Sequence, residues 1–156
     1  MAYYGIFHSI IQYGIVLWGG SHHAIKIFRL QKKALRIIAH IGYRDHCREW
    51  FKNLKIMSVP SLFVYRTLLF ARSILGTSPS HADCHSHNTR NKDSVYLPRC
   101  RLTISQTAPD YVALKMFNAL PRAVRELQGN VFKNYIKRKL LENPLYDKQE
   151  FYQLPM

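Results

Sequence analysis

Carboxylates are scarce in this chain: nine Asp and Glu stand against 23 Lys and Arg, which leaves a formal charge of +14. Hydrolytic and transfer chemistry is commonly built on convergent acids or on a nucleophile with its base. Here the acids are scattered, and no two aspartates are adjacent anywhere. Asp45 and Glu49 are one turn apart, yet they sit among Arg44, Arg48 and Lys52, which predicts local ion pairing rather than a metal site. Glycine is equally unhelpful to an enzyme reading. Gly19-Gly20 lacks the following Lys-Ser/Thr of a phosphate-binding loop and instead reads as a helix stop. The three cysteines, Cys47, Cys84 and Cys100, are odd in number and widely spaced, so reduced thiols in an intracellular compartment are expected. A long apolar run is also missing. The segment Tyr3 to Trp18 is interrupted by Gly5, His8, Ser9, Gln12 and Gly14 and is shorter than the ~20 residues of a span, and it has no basic leader or cleavage site of a signal peptide. No membrane span is expected.

Histidine and cysteine gather once, in His81-Ala-Asp-Cys84-His85-Ser-His87, with Cys100 downstream. Zinc sites draw ligand pairs from two separated elements, and this spacing supplies one pair and a distant third. A polar exposed loop is therefore expected, with no metal and no cofactor.

What the chain does have is cationic and helical. Between Ala24 and Ile41, at about 100° per residue, Lys26, Arg29, Lys32, Lys33, Arg36 and His40 fall within an arc of roughly 120°, while Ile27, Leu30, Ala34, Leu35, Ile37, Ile38 and Ile41 fill the other side. A solvated face usually mixes both signs, because Glu and Lys one turn apart stabilise each other. A one-sign face points to an anionic partner, nucleic acid first and a membrane surface second. Lys133, Lys137 and Arg138 on a later helix form a second candidate patch. The first half is the more one-sided, with 11 basic and two acidic residues in 1–76 against 12 and seven in 77–156.

The expected architecture is mainly α: a helical bundle over 1–76, a polar stretch with a candidate hairpin over 77–106, and a smaller helical lobe over 107–156. A first helix from Ala2 to Leu17, apolar nearly all round, is expected inside. A second starts at Ser21 or His23 and stops at His40, with Gly42 just beyond. A third is capped by Asp45 and turns Cys47, Trp50, Phe51 and Leu54 inward. The fourth opens at Ser58-Val-Pro60 and runs to Leu75-Gly76. Strands are expected at Val95-Tyr96-Leu97 and Arg101-Leu102-Thr103-Ile104. Thr107 begins a capping signature before a helix with Ala113, Leu114, Phe117 and Leu120, Pro121 breaks it, and Asn130 caps a last helix that Pro144 closes. Tyr3, Tyr4, Tyr13, Tyr65, Trp18 and Trp50 read as packing residues rather than base-stacking platforms.

Several stretches, taken in order, carry a resemblance: Tyr13-Gly14 with Leu17-Trp18-Gly19, then Leu30-Gln31-Lys32-Lys33-Ala34-Leu35-Arg36-Ile37-Ile38, Tyr43-Arg44-Asp45-His46-Cys47, Leu54-Lys55-Ile56 and Val59-Pro60-Ser61-Leu62. His87-Asn88-Thr89-Arg90-Asn91-Lys92 and Leu114-Lys115-Met116-Phe117-Asn118-Ala119-Leu120-Pro121 follow. This succession resembles the C-terminal part of the reverse transcriptases of non-LTR retrotransposons, especially the jockey-like group. The resemblance implies a thumb-like helical region and the segment after it, gripping a template-primer duplex behind a palm. It also implies that the metal-binding aspartates belong to that palm, which this chain does not contain, so two-metal nucleotidyl transfer is not expected of it. A truncated, non-catalytic piece of an RNA-directed DNA polymerase is the leading expectation. Its partners would be nucleic acid, contacted along the backbone, and the missing palm and fingers. The alternative is a helical protein-interaction module with no nucleic-acid role.

Overall fold

Ser58 organises the centre of the molecule. Its side chain accepts a hydrogen bond from the Ser61 amide at 3.2 Å, and Pro60 stands in the first turn, where a missing N–H costs nothing. From this start one long apolar helix crosses the core, and the rest of the chain is laid around it. The computed structural model describes residues 3–84 and 94–155.

In chain order, a π-helical turn Tyr3–His8 leads into α1 (Ser9–Gln12) and α2 (Ile15–Trp18), followed by α3 (Ala24–Ala39), α4 (Arg48–Asn53) and the central α5 (Val59–Ile74). After a 3-10 turn come α6 (His81–Cys84), α7 (Thr103–Gln106), α8 (Pro109–Asn118), α9 (Arg122–Arg125), α10 (Gly129–Glu142) and a last 3-10 turn, Lys148–Gln153. The fold is mainly α-helical. α8 makes the most extensive contact with α5, and α2, α3, α10 and the final turn also pack against it. A helix covered on several sides must be apolar nearly all round, and Val59, Leu62, Phe63, Val64, Leu68 and Ala71 are all buried. Residues from Tyr3 to Phe151 join in one buried cluster, which the second helical segment completes through Ala113, Phe117, Phe132 and Ile136.

Several local expectations are corrected. The first helix is neither continuous nor wholly inside. Gly14, at φ +59°, divides it, and although Tyr3, Ile11 and Ile15 are buried, Ile10, Tyr13 and Leu17 are 70%, 86% and 75% exposed. Tyr13 is thus not a packing residue, and Tyr4 is only partly one. The end of α3 is as expected, with His40 closing it in the left-handed region and Gly42 just beyond. Asp45 does not cap α4; its carboxylate accepts from the Gly42 amide at 2.8 Å, closing the preceding turn, and Cys47 takes the cap position without a side-chain bond. Thr107 likewise donates back to the Thr103 and Ile104 carbonyls while Ala108 precedes α8. α10 begins at Gly129, one residue before the expected cap Asn130. Side chains short enough to cap a helix are equally able to close the turn before it, and local contacts decided between the two.

In the segment considered for a hairpin, Val95 forms an isolated antiparallel bridge with Ser80, and Thr103–Gln106 is a helical turn. Asn118 of α8 satisfies Val95 from the other side, accepting from its amide at 3.1 Å and donating to its carbonyl at 2.8 Å. A side-chain amide thus supplies the pairing that a second strand would have given.

Candidate nucleic-acid interface

α3 buries Phe28, Gln31 and Leu35, a narrow stripe turned toward α4 and α5. Opposite that stripe the helix presents Lys26, Arg29 and Lys33, all exposed. No ion pair or hydrogen bond engages these three side chains among the described residues. Leu30 and Ile37, expected on the buried side, are 51% and 74% exposed and lie beside the cations. Ile27 and Ile38 pack against the core from the side of the buried stripe, whereas Leu30 and Ile37 lie beyond its reach.

The other two cations of the stripe are half-buried and occupied. Lys32 lies over the rings of Phe28 and Tyr146, at 4.9 and 5.5 Å. Arg36 donates from Nε and Nη2 to the Asp45 carbonyl at 3.2 and 3.0 Å and faces Tyr43. Among the described residues neither charge is compensated by a carboxylate, yet their stems and heads hold the α3–α4 turn and the C-terminal segment in place. His40 is exposed at the end of the helix.

Lys133, Lys137 and Arg138 are all exposed on α10. The fold adds two further cations to this group. Lys52 in α4 and Lys55 just after it line the same open groove of about 620 Å³ as Lys137 and Arg138, together with Asn53, Asn134, Leu141 and Glu142. Lys55 has φ +52°, so the chain reverses sharply there. Spacing in sequence could not have revealed this group, because its two halves are some eighty residues apart and meet only through the packing of α4 on α10.

Acidic side chains border the α4–α10 groove on one side. A depression of about 570 Å³ beside the α10 groove is lined by Glu49, Glu142 and Glu150 as well as Arg48 and Lys52. There Arg48 pairs with Glu150 at 3.0 Å, both partly exposed, and lies over Tyr146 at 4.5 Å. The local pairing expected of Asp45 and Glu49 with their basic neighbours is replaced by this long-range bridge. Burial raises the Tyr146 hydroxyl above its usual range, so it stays neutral between Lys32 and Arg48.

Of the histidine and cysteine cluster, His81 and Cys84 lie in α6, where Asp83 accepts from the Ser80 amide and hydroxyl and its carboxyl is thereby held below the ordinary range. His85 and His87, and the stretch 87–92 that contributes to the family resemblance, lie outside the described residues. No group of three potential ligands converges among the described residues. Among those residues, too, no helix is long and apolar enough to cross a membrane.

Comparison with known protein families, with characterised proteins and with solved structures returns no match.

Proposed function

We propose that this chain is a thumb-like, non-catalytic fragment of a retrotransposon RNA-directed DNA polymerase that binds nucleic acid along its sugar-phosphate backbone. The observation that carries the reading is the outer face of α3, where Lys26, Arg29 and Lys33 stand exposed with no carboxylate engaged to them among the described residues. Uncompensated surface cations repel each other, and a polyanion removes that cost by displacing its own counterions onto solvent. The α4–α10 groove, with Lys52, Lys55, Lys137 and Arg138, supplies a second row at which a strand or duplex can be held. The ordered motifs around Gln31-Lys32-Lys33 and Val59-Pro60-Ser61-Leu62 support the polymerase part of the proposal by resemblance.

Binding of this kind weakens linearly in log-log form as salt rises, with a slope near the number of phosphates neutralised, about 0.9 per contact on duplex DNA. Titrating a labelled duplex, a single strand and an RNA-DNA hybrid from low to moderate salt tests it. The expected result is a steep slope that does not depend on sequence. A flat salt response would sink the reading.

A second reading has its own observation. Ile6, Ile10, Tyr13 and Leu17 are each more than two-thirds exposed or nearly so, at 67%, 70%, 86% and 75%, on the first two helices and the turn before them. Contiguous apolar surface on a monomer marks an interaction site, and this segment suits docking onto a palm domain or another protein. Self-association at micromolar concentration, relieved by Ile10→Lys and Leu17→Lys together, is the expected behaviour of such a surface. Strong binding to anionic vesicles with none to nucleic acid would instead favour a membrane-surface role.

A further inference from the structure

A cavity of about 420 Å³ lies apart from both cationic surfaces, walled by four segments: α2 with the turn after it, α5, the α7–α8 stretch and the final 3-10 turn. This is the size range of small-molecule sites. Phe63 and Met116, each 2% exposed, form its deep side, and Val16 and Val112 are half-buried in its wall. Leu17, Lys115, Lys148 and Tyr152 are its exposed outer residues. The double glycine after α2 gives it its shape. A Cβ at Gly19 would stand 2.6 Å from the Phe63 ring and one at Gly20 3.3 Å from it, so side chains here would push into the ring that backs the cavity. Lys148 is pinned at the same turn. Its ammonium donates to the Gly20 carbonyl at 2.7 Å, which leaves two of its three donors for a ligand. Lys115 is exposed, and no hydrogen bond or ion pair engages its ammonium among the described residues. Nor does any carboxylate among those residues line the cavity. Asp147 lines the adjoining cleft instead, where it accepts from the Gln149 amide at 2.8 Å.

Two ammonium groups beside an apolar wall fit a ligand with an anionic end and an apolar face. The other polar groups narrow the choice. Gln106 and Gln149 each bring a side-chain amide that both donates and accepts, of which Gln106 gives one donor to the Cys100 carbonyl at 2.8 Å, and Ser21 adds a hydroxyl. A hydrocarbon tail would displace water from these groups and leave them unpaired, at a cost. A nucleobase instead has edges that engage amides and a face that lies on aromatic and apolar side chains. The Tyr152 ring is braced edge-on by Phe151, with centroids 5.3 Å apart. We propose that this cavity receives one nucleotide, its base against Leu17, Val112 and Tyr152 and its phosphate held by Lys115 and Lys148. The nucleotide is either free or the unstacked end of a single strand. The inference does not require α3 or the α4–α10 groove to bind anything.

The test uses the full chain, labelled at its methionine methyl groups, and adenosine monophosphate at constant ionic strength, followed by NMR and calorimetry. Saturable binding is expected, with the Met116 methyl moved and that of Met57, which is buried outside the cavity, left in place. Lys115→Gln is expected to weaken the nucleotide about tenfold, the loss of one charge-assisted contact, and to leave the weaker binding of adenosine unchanged. Tyr152→Ala is expected to weaken both ligands about tenfold, the worth of one stacking contact. Shifts that fail to saturate, equal movement of Met57, or an affinity unchanged in both variants would overturn the proposal. So would saturation of the site by sodium dodecanoate with no binding of adenosine monophosphate, which would assign the cavity to an amphiphile. A single-stranded adenine oligomer separates the two sources. Movement of the Met116 methyl by the oligomer, lost in Tyr152→Ala, assigns the cavity to a strand end, whereas bound adenosine monophosphate that the oligomer leaves in place assigns it to a free nucleotide. The backbone reading is judged by its own salt titration, which neither result alters.

Discussion

Gln31 shows how much a single buried amide can decide. It is fully buried, its Nε2 donates to the Tyr3 hydroxyl and to the Met57 carbonyl, each at 2.8 Å, and its Oε1 accepts from the Val59 amide at 2.8 Å. One side chain thereby ties the N-terminal turn, α3 and the first amide of α5, a donor that no helix can satisfy from within. Gln31→Leu keeps the volume and strips all three bonds, so a loss of about 2–4 kcal/mol is expected in denaturant unfolding. Nucleic-acid affinity per folded molecule should be unaffected. His8 carries a pH prediction at the same scale. Because burial and Arg66 lower its proton affinity in the folded state, the unfolded chain binds the proton more readily below its ordinary value of about 6.5. Stability contributed by His8 is therefore complete above that pH and is lost as pH falls through it toward the lower folded value. Thermal unfolding followed between pH 7.5 and 5.5 should show a smaller drop in Tm for His8→Gln than for the parent chain.

At the scale of elements, α5 and α8 define the core by approaching closely. Ala71 on α5 and Ala113 on α8 are both fully buried, and small residues permit helices to pack at short interaxial distance. Ala113→Leu adds three carbons to a filled interior and is expected to cost about 1–3 kcal/mol, read as a lower urea midpoint with the slope preserved. The start of α5 is anchored from a distance as well. Ser58 Oγ donates to the Leu145 carbonyl, Ser61 Oγ accepts from the Leu145 amide at 2.9 Å, and the two hydroxyls lie 2.9 Å apart. Ser58 was legible as a cap from its place before Pro60. Its second duty, fixing the chain that follows α10, was not, because the partner lies 87 residues away.

For the whole molecule, charge is the property that matters, and the fold sorts the cations by duty. Lys32 and Arg36 support structure while Lys26, Arg29 and Lys33 on α3 have no bonded partner among the described residues. Changing these last three to Gln should leave unfolding within about 0.5 kcal/mol of the parent, as surface changes usually do, and lower the salt slope of nucleic-acid binding by about two to three. Gln at Lys32 and Arg36 should instead destabilise, since Phe28, Tyr146 and the Asp45 carbonyl lose their partners. Equal effects from the two sets, in both stability and slope, would contradict this division. The amino-acid sequence by itself determined the helical class, the excess of positive charge, the one-signed stripe and the start of α5, because periodicity, composition and capping act over a few residues. Only the tertiary structure decided which stripe residues remain available, that Lys52 and Lys55 join Lys137 and Arg138, and that the buried Nε of Arg66 has no acceptor among the described residues. Those outcomes depend on which surfaces of α3, α4, α5 and α10 cover one another, and burial between distant segments leaves no mark in local spacing.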